Sequence, residues 1–262
     1  MSSIKTFFIE FLIFIYKQAF ACLFGGFIIL LIVMTRYYYP LEGLLFQYDF
    51  LFIMVIIFQI ILIKTRFEST KELMIIMIFH IIAMVMEIFK THPSIGSWSY
   101  PGDYTIGILG VPLFAGFMYS AVGSYIARVW KIFEFKYTNY PKKIYTIVIA
   151  IAIYINFFSH HFIYDIRYII IVAILCTFGR TRIHFKPHKN YFSMNLAFGF
   201  FLVALFIWFA ENIATYARIW VYPSQTHIWH MVGIEKITAW FLLMIISFVL
   251  VSLLYKPQTY IK

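Results

Sequence analysis

The chain has 262 residues, 63% of them hydrophobic and 12% charged, and a net charge of +10. Soluble domains carry about a quarter charged residues, and a fold of this length cannot hide so much apolar surface behind a polar exterior, so a soluble protein is excluded. Barrel strands alternate polar and apolar residues; the long unbroken apolar runs here point instead to helices, which satisfy their own backbone in hydrocarbon.

In chain order, residues 4–18 read as an interfacial helix, with Lys5, Thr6, Glu10 and Lys17 roughly on one side at about 100° per residue. Ala19-Phe20-Ala21 resembles a signal-peptidase site after the apolar stretch Phe7 to Tyr16. Glu10 interrupts that stretch, however, Lys17 follows it, and hydrophobicity resumes at Leu23, so the segment reads as uncleaved. A spanning helix needs about 20 mostly apolar residues. Eight stretches qualify: 19–35, 44–63, 73–89, 106–127, 144–158, 162–178, 191–210 and 237–254. The fifth and sixth are short and separated only by Ser159-His160-His161, which leaves a re-entrant pair as the alternative there. Cys22 and Cys176 lie in apolar segments and read as buried small hydrophobes, not a disulfide or metal pair.

Lysine and arginine sort by side. The first residues, the loops 64–72, 128–143 and 179–190 and the last residues hold 16 of them, whereas the loops 36–43, 90–105, 159–167 and 211–236 hold five. A wrong span count would scramble this alternation, so the positive-inside rule predicts an inner-membrane protein of eight spans with both termini cytoplasmic. The basic residues sit in short loops beside membrane lipid, their natural partner. No basic helix or stacking platform stands outside the membrane, which argues against nucleic acid.

Glu87 is followed by Trp98-Ser99-Tyr100-Pro101, and Glu211 by Trp220-Val221-Tyr222-Pro223. The offset is 124 residues at the glutamates and 122 at the tetrads, and Gly110-Val111 and Gly233-Ile234 continue it at 123. This predicts an all-α integral-membrane fold of eight transmembrane helices in one domain, built as two parallel four-helix repeats of about residues 1–140 and 141–262.

Ionisable residues at membrane depth are costly and mark candidate sites. His80 and Glu87 lie seven apart on one helix face. Glu211 ends the seventh span, Asp49 opens the second, His160, His161 and Asp165 occupy a short turn, and His227, His230 and Glu235 lead into the eighth span. Glu87 and Glu211 are the candidate acid and base, since a carboxyl in a low-dielectric site can hold its proton near neutrality. His80 and His160 would tune them. Trp98, Tyr100, Trp220 and Tyr222 would wall the pocket and stabilise a developing cation, with His161 and His230 as further substrate contacts. No spacing matches a zinc signature, so neither metal nor cofactor is expected.

Several of these motifs belong together. Lys17-Gln18-Ala19-Phe20-Ala21-Cys22-Leu23-Phe24-Gly25-Gly26, Met86-Glu87-Ile88-Phe89-Lys90, Gly96-Ser97-Trp98, Gly110-Val111-Pro112-Leu113, Asn156-Phe157-Phe158-Ser159-His160-His161, Ala210-Glu211-Asn212 and Trp229-His230-Met231-Val232-Gly233 resemble the YoaT-like bacterial membrane family across nearly the whole chain. That family is a domain of unknown function, so the resemblance implies no substrate. A fainter similarity reaches the membrane carotenoid cyclases and hydratases, which pair a helix-end Glu with a Trp-x-Tyr turn. Those enzymes follow the turn with a Gly-Val-Pro block or an acidic pair. Here Lys236 stands where the second acid would be, and Leu113 and Phe114 replace both in the first copy. The departure speaks against lycopene-type cyclisation and leaves a related lipid reaction. The expectation is an enzyme acting on a polyisoprenoid or similar lipid by acid–base chemistry near the outer face. The alternative is a multi-pass transporter of a small solute or lipid.

Overall fold

The apolar runs fold as helices, because only a helix satisfies every backbone group within its own segment. The computed structural model describes residues 2–261, with side chains from Ile4 onward. Its helices are α1 (Ser2–Ala21), α2 (Leu23–Tyr37), α3 (Gln47–Lys64), α4 (Thr70–Thr91), α5 (Phe114–Ile132), α6 (Lys143–Ser159), α7 (Arg167–Phe178), α8 (Leu196–Tyr216) and α9 (Lys236–Tyr255). A hairpin pairs β1 (Gly107–Ile108) with β2 (Val111–Pro112). An antiparallel sheet sets β3 (Lys136–Thr138) beside β4 (Arg182–Phe185) and β4 beside β5 (Phe192–Asn195). The class is all-α, 64% helical.

By length and composition α3, α4, α8 and α9 can each cross a membrane, and α1 with α2 makes a fifth candidate if the break at Cys22 is one broken span. The other apolar helices, α6 and α7, are shorter. Ile81 and Val85 on α4, Ile151 and Ile155 on α6, Val172 on α7 and Phe206 on α8 are all at least half exposed. Water-soluble surfaces do not carry such stripes, whereas lipid-facing ones do.

Three expectations need correction. The fourth span does not begin at residue 106: residues 107–112 form the hairpin, and α5 starts at Phe114. Leu109 and Gly110 both have positive φ, 48° and 82°, as a two-residue type I′ turn requires. Cys22 and Cys176 are exposed rather than buried; in lipid an apolar neighbourhood does not place a residue inside the protein. Finally, the basic loops around 136 and 182 are not plain connections but strands.

The chain divides into two compact units, each drawing on both expected halves. The first comprises residues 1–23, 125–205 and 237–262. Its sheet packs Tyr137 on Trp130 (centroids 5.2 Å) and Trp130 on Phe248 (5.3 Å). Residues 258–260 extend the sheet, with Tyr137 N donating to Gln258 O and Tyr260 N to Tyr137 O. Asn156 ties the α6–α7 turn by donating to Asp165 Oδ1 (3.1 Å) and accepting from Ile166 N (3.1 Å). The polar side of α1 faces protein. Lys17 Nζ donates to Ile132 O and Lys186 O, while Phe7, Phe8, Phe11 and Leu12 are exposed.

The second unit comprises residues 24–124 and 206–236. Phe24, Ile28, Ile32, Leu51, Val55, Phe114 and Phe117 form its core. Helix α4 starts on a capping box in which Ser69 and Glu72 bond each other's backbone. Close approach of α4 and α5 is set by small residues. A Cβ on Gly116 would strike the His80 ring and one on Gly123 the Phe79 ring, while Ser120 Oγ donates across to Ile76 O at 2.9 Å.

The tie at Glu10 is testable. Its buried carboxylate accepts from the backbone N–H of His188, Lys189 and Asn190 at 2.9, 3.1 and 3.0 Å, and from the Asn190 side chain at 2.9 Å. Removing an acceptor from buried donors costs about 1–3 kcal/mol. Glu10→Ala is expected to release the 186–190 loop, so that trypsin cuts after Lys189 under conditions that leave the wild type intact. Equal digestion would show that the loop is held by something else.

Candidate functional site

Helix α4 buries the i, i+3/i+4 set Ile76, Phe79, Ala83 and Glu87, and so carries a carboxyl into the second unit two turns above His80. Glu87 is 1% exposed and Glu211, near the end of α8, 3%. A buried carboxyl needs donors, and the loops after each helix supply them. Trp98 Nε1 donates to Glu87 Oε2 at 2.8 Å and the Tyr100 hydroxyl to the same oxygen at 2.6 Å. Tyr119, from α5, donates to Glu87 as well. In the second copy the Tyr222 hydroxyl donates to Glu211 Oε1 at 2.5 Å.

The two tetrads meet. Ser99 and Val221 exchange backbone hydrogen bonds, N to O, at 3.0 and 2.9 Å. The Trp98 ring stands edge-on to Tyr222 with centroids 6.2 Å apart. Tyr119, hydrogen-bonded to Glu87, also lies within electrostatic reach of Glu211 and Tyr222. The copies differ in detail: Trp220 hydrogen-bonds Tyr222, and Lys236 Nζ lies 4.2 Å from the centroid of the Tyr222 ring.

Of the residues expected at a site, the second unit thus brings together Glu87, Trp98, Tyr100, Glu211, Trp220 and Tyr222. His80 is half-buried against Phe117, with centroids 4.4 Å apart, and its Nδ1 has no hydrogen-bond partner among the described residues. His230 is exposed in the loop before α9, its ring nitrogens against Met231 O and Ser224 O. Asp49 accepts from Thr105 N and Ile106 N and so anchors that loop. His160 and His161 belong to the first unit, where His160 follows the last turn of α6 and its Nδ1 meets Asn156 O at 2.8 Å. Tyr119 was missed. It has no counterpart in the second copy, where Leu242 stands 123 residues on, and the available signal was a polar-tipped ring in an apolar helix.

Burial, and then the charge of the adjacent glutamate, push the Tyr100 and Tyr222 phenols well above their usual range. Both stay neutral donors at physiological pH. Each phenol is therefore a fixed hydrogen-bond donor that holds its carboxyl beside an aromatic wall.

A family model described as "Protein of unknown function (DUF817)" matches residues 10–248. The chain is 38% identical over 237 residues to "Uncharacterized protein YoaT" of Bacillus subtilis (strain 168), covering 90% of this chain and 88% of that protein. No solved structure matches.

Because the folded Tyr222 pKa lies above the unfolded value of about 10, its contribution to stability is complete below about pH 10 and is lost as pH rises through the folded value. Tyr222→Phe leaves Glu211 without that donor and is expected to cost about 1–3 kcal/mol at neutral pH. It should also flatten the decline in stability above about pH 10. Denaturation in detergent across that range checks both; an unaltered alkaline slope would remove Tyr222 as its source.

Proposed function

The chain belongs to the DUF817 family of proteins of unknown function, and since that description names no reaction we propose one from the site: an integral-membrane enzyme acting on a polyisoprenoid or related lipid by acid–base chemistry. The observation that carries it is the pair of buried glutamates, each met by the tyrosine of its own Trp-x-Tyr-Pro turn. One carboxyl gives its proton to a carbon–carbon double bond. The cation that develops is stabilised by the faces of Trp98, Tyr100, Trp220 and Tyr222. The other carboxylate removes a proton from the neighbouring carbon or from attacking water.

We place this site at the outer end of eight spans in a bacterial inner membrane, with both termini inside. Each of the eight apolar stretches overlaps one of α2 to α9, and the lysine and arginine count supports the direction. The parallel repeat gains support from Ser99 and Val221. They hold the same position in the two tetrads and pair with each other, as copies related by a two-fold axis do. The rival reading, a transporter of a small solute or lipid, calls for helices interrupted at mid-membrane in both halves. Gly25 lies just past the break between α1 and α2 at Cys22, whereas α6, the matching helix of the second half, runs unbroken from Lys143 to Ser159, so the interruption is not shared by both halves, which favours the enzyme.

The test is mass spectrometry of lipid extracts from a deletion strain complemented with wild type, Glu87→Gln or Glu211→Gln. One prenyl lipid should change on deletion and return with wild type but with neither stably expressed variant. An unchanged lipidome sinks the proposal and directs attention to solute flux in proteoliposomes.

A further inference from the structure

Positive charge is scarce on the side that carries the tetrads: the loops expected there hold five Lys and Arg residues in all. Two of them, Arg36 and Arg218, line one cleft of about 210 Å³ in the second unit, together with Thr35, Gln47, Tyr48 and Gly102. Arg36 is in the last turn of α2, and Arg218 follows the end of α8. Neither guanidinium has a carboxylate within ion-pair distance among the described residues. Arg218 Nη2 donates to Thr226 O at 3.2 Å, which leaves most of its donors available.

The cleft is built rather than incidental. Arg218 has a φ of 59°, a left-handed conformation that glycine or asparagine takes more readily than arginine, and strain of this kind gathers where function holds it. Gln47 Nε2 donates to Thr35 Oγ1 at 2.9 Å, and the Tyr48 hydroxyl to Ile219 O at 2.6 Å, so the wall is braced by hydrogen bonds. A Cβ on Gly102 would come within 2.9 Å of the Tyr48 ring. The cleft also adjoins the glutamate site. Tyr48 stands edge-on to Tyr100, with centroids 5.8 Å apart, and Tyr100 donates to Glu87.

We infer that this cleft binds a phosphate or diphosphate group, held between the Arg36 and Arg218 guanidinium forks at the mouth of the Glu87 site. Two planar forks suit an anion with several oxygens and more than one charge, where a single carboxylate would occupy one. If the proposed lipid reaction holds, the group is the head of a prenyl phosphate or diphosphate whose chain reaches the aromatic wall. The anion site itself rests on the cleft and not on that reaction.

The test is calorimetric titration of the full-length protein in phosphatidylcholine nanodiscs with inorganic phosphate, inorganic diphosphate, farnesyl diphosphate and farnesol. Wild type is expected to bind the diphosphates, with farnesol at least about tenfold weaker. Arg36→Gln and Arg218→Asn are each expected to weaken diphosphate binding about tenfold, the loss of one charge-assisted contact; asparagine accepts the positive φ. Arg36→Lys should fall between wild type and Arg36→Gln, because an ammonium lacks the fork. Tighter binding of farnesyl diphosphate than of inorganic diphosphate makes the ligand a lipid head, and equal binding makes it a free anion; both uphold the site. Failure of wild type to bind any phosphate probe overturns it, as does equal binding by a folded double variant. Should the variants unfold, competition decides: farnesyl diphosphate that inorganic diphosphate cannot displace from wild type, even at a concentration far above its own Kd, is held by its tail, and the proposal fails. Binding needs no turnover, so this result and the lipid analysis of the Glu87 and Glu211 variants can fail independently.

Discussion

A carboxyl group carried on an apolar helix has no water to solvate it, and every donor it needs must come from its own chain. Much of the architecture follows from that constraint. Six of the eleven acidic residues are buried, Glu10, Asp49, Glu68, Glu72, Glu87 and Glu211, whereas acids in soluble proteins are almost all at the surface. Each organises a loop or a helix end. Glu10 gathers residues 188–190, Asp49 holds 105–106, Glu72 caps α4, and Glu68 accepts from Gln59 and Ser124. Glu87 and Glu211 draw the tetrad loops down onto the helices that carry them. The irregular segments are thus positioned by buried acids as much as by apolar packing.

The two tetrad copies do not build equivalent environments. Glu87 receives an indole and two phenols, while around Glu211 the second tryptophan turns to Tyr222 and the Lys236 ammonium lies over that ring. The indole that serves the first carboxyl thus has no direct counterpart in role at the second, although the two turns share one sequence pattern. Sequence comparison marked Lys236 as a departure from an acidic pair. In the fold it is a cation placed against the same tyrosine that serves the second glutamate.

The helices were legible in the sequence because long apolar runs admit no other backbone solution in lipid, and the glutamates because charge there is rare. The tetrads were legible because tryptophan and proline seldom recur together by chance. What escaped notice was encoded weakly or far apart. Strands β3, β4 and β5 have three or four residues each, and β3 lies more than forty residues from β4; their lysines and arginines already had an explanation in membrane orientation. The hairpin at 107–112 was absorbed into a span because Ile106, Ile108, Leu109 and Val111 extend the apolar run, and only the glycines dissent. Arg36 and Arg218 are 182 residues apart, and nothing local in either segment announces that they share a cleft.

The anchoring of α1 has a consequence in time. Its first helical turns leave the ribosome long before their partner exists, because Glu10 and His188 are separated by 178 residues. At about 5–20 residues per second, the carboxylate waits roughly ten to thirty-five seconds for the backbone that will enclose it. Helix α1 is therefore among the last to be locked, and its docking reports that residues 186–190 have been made.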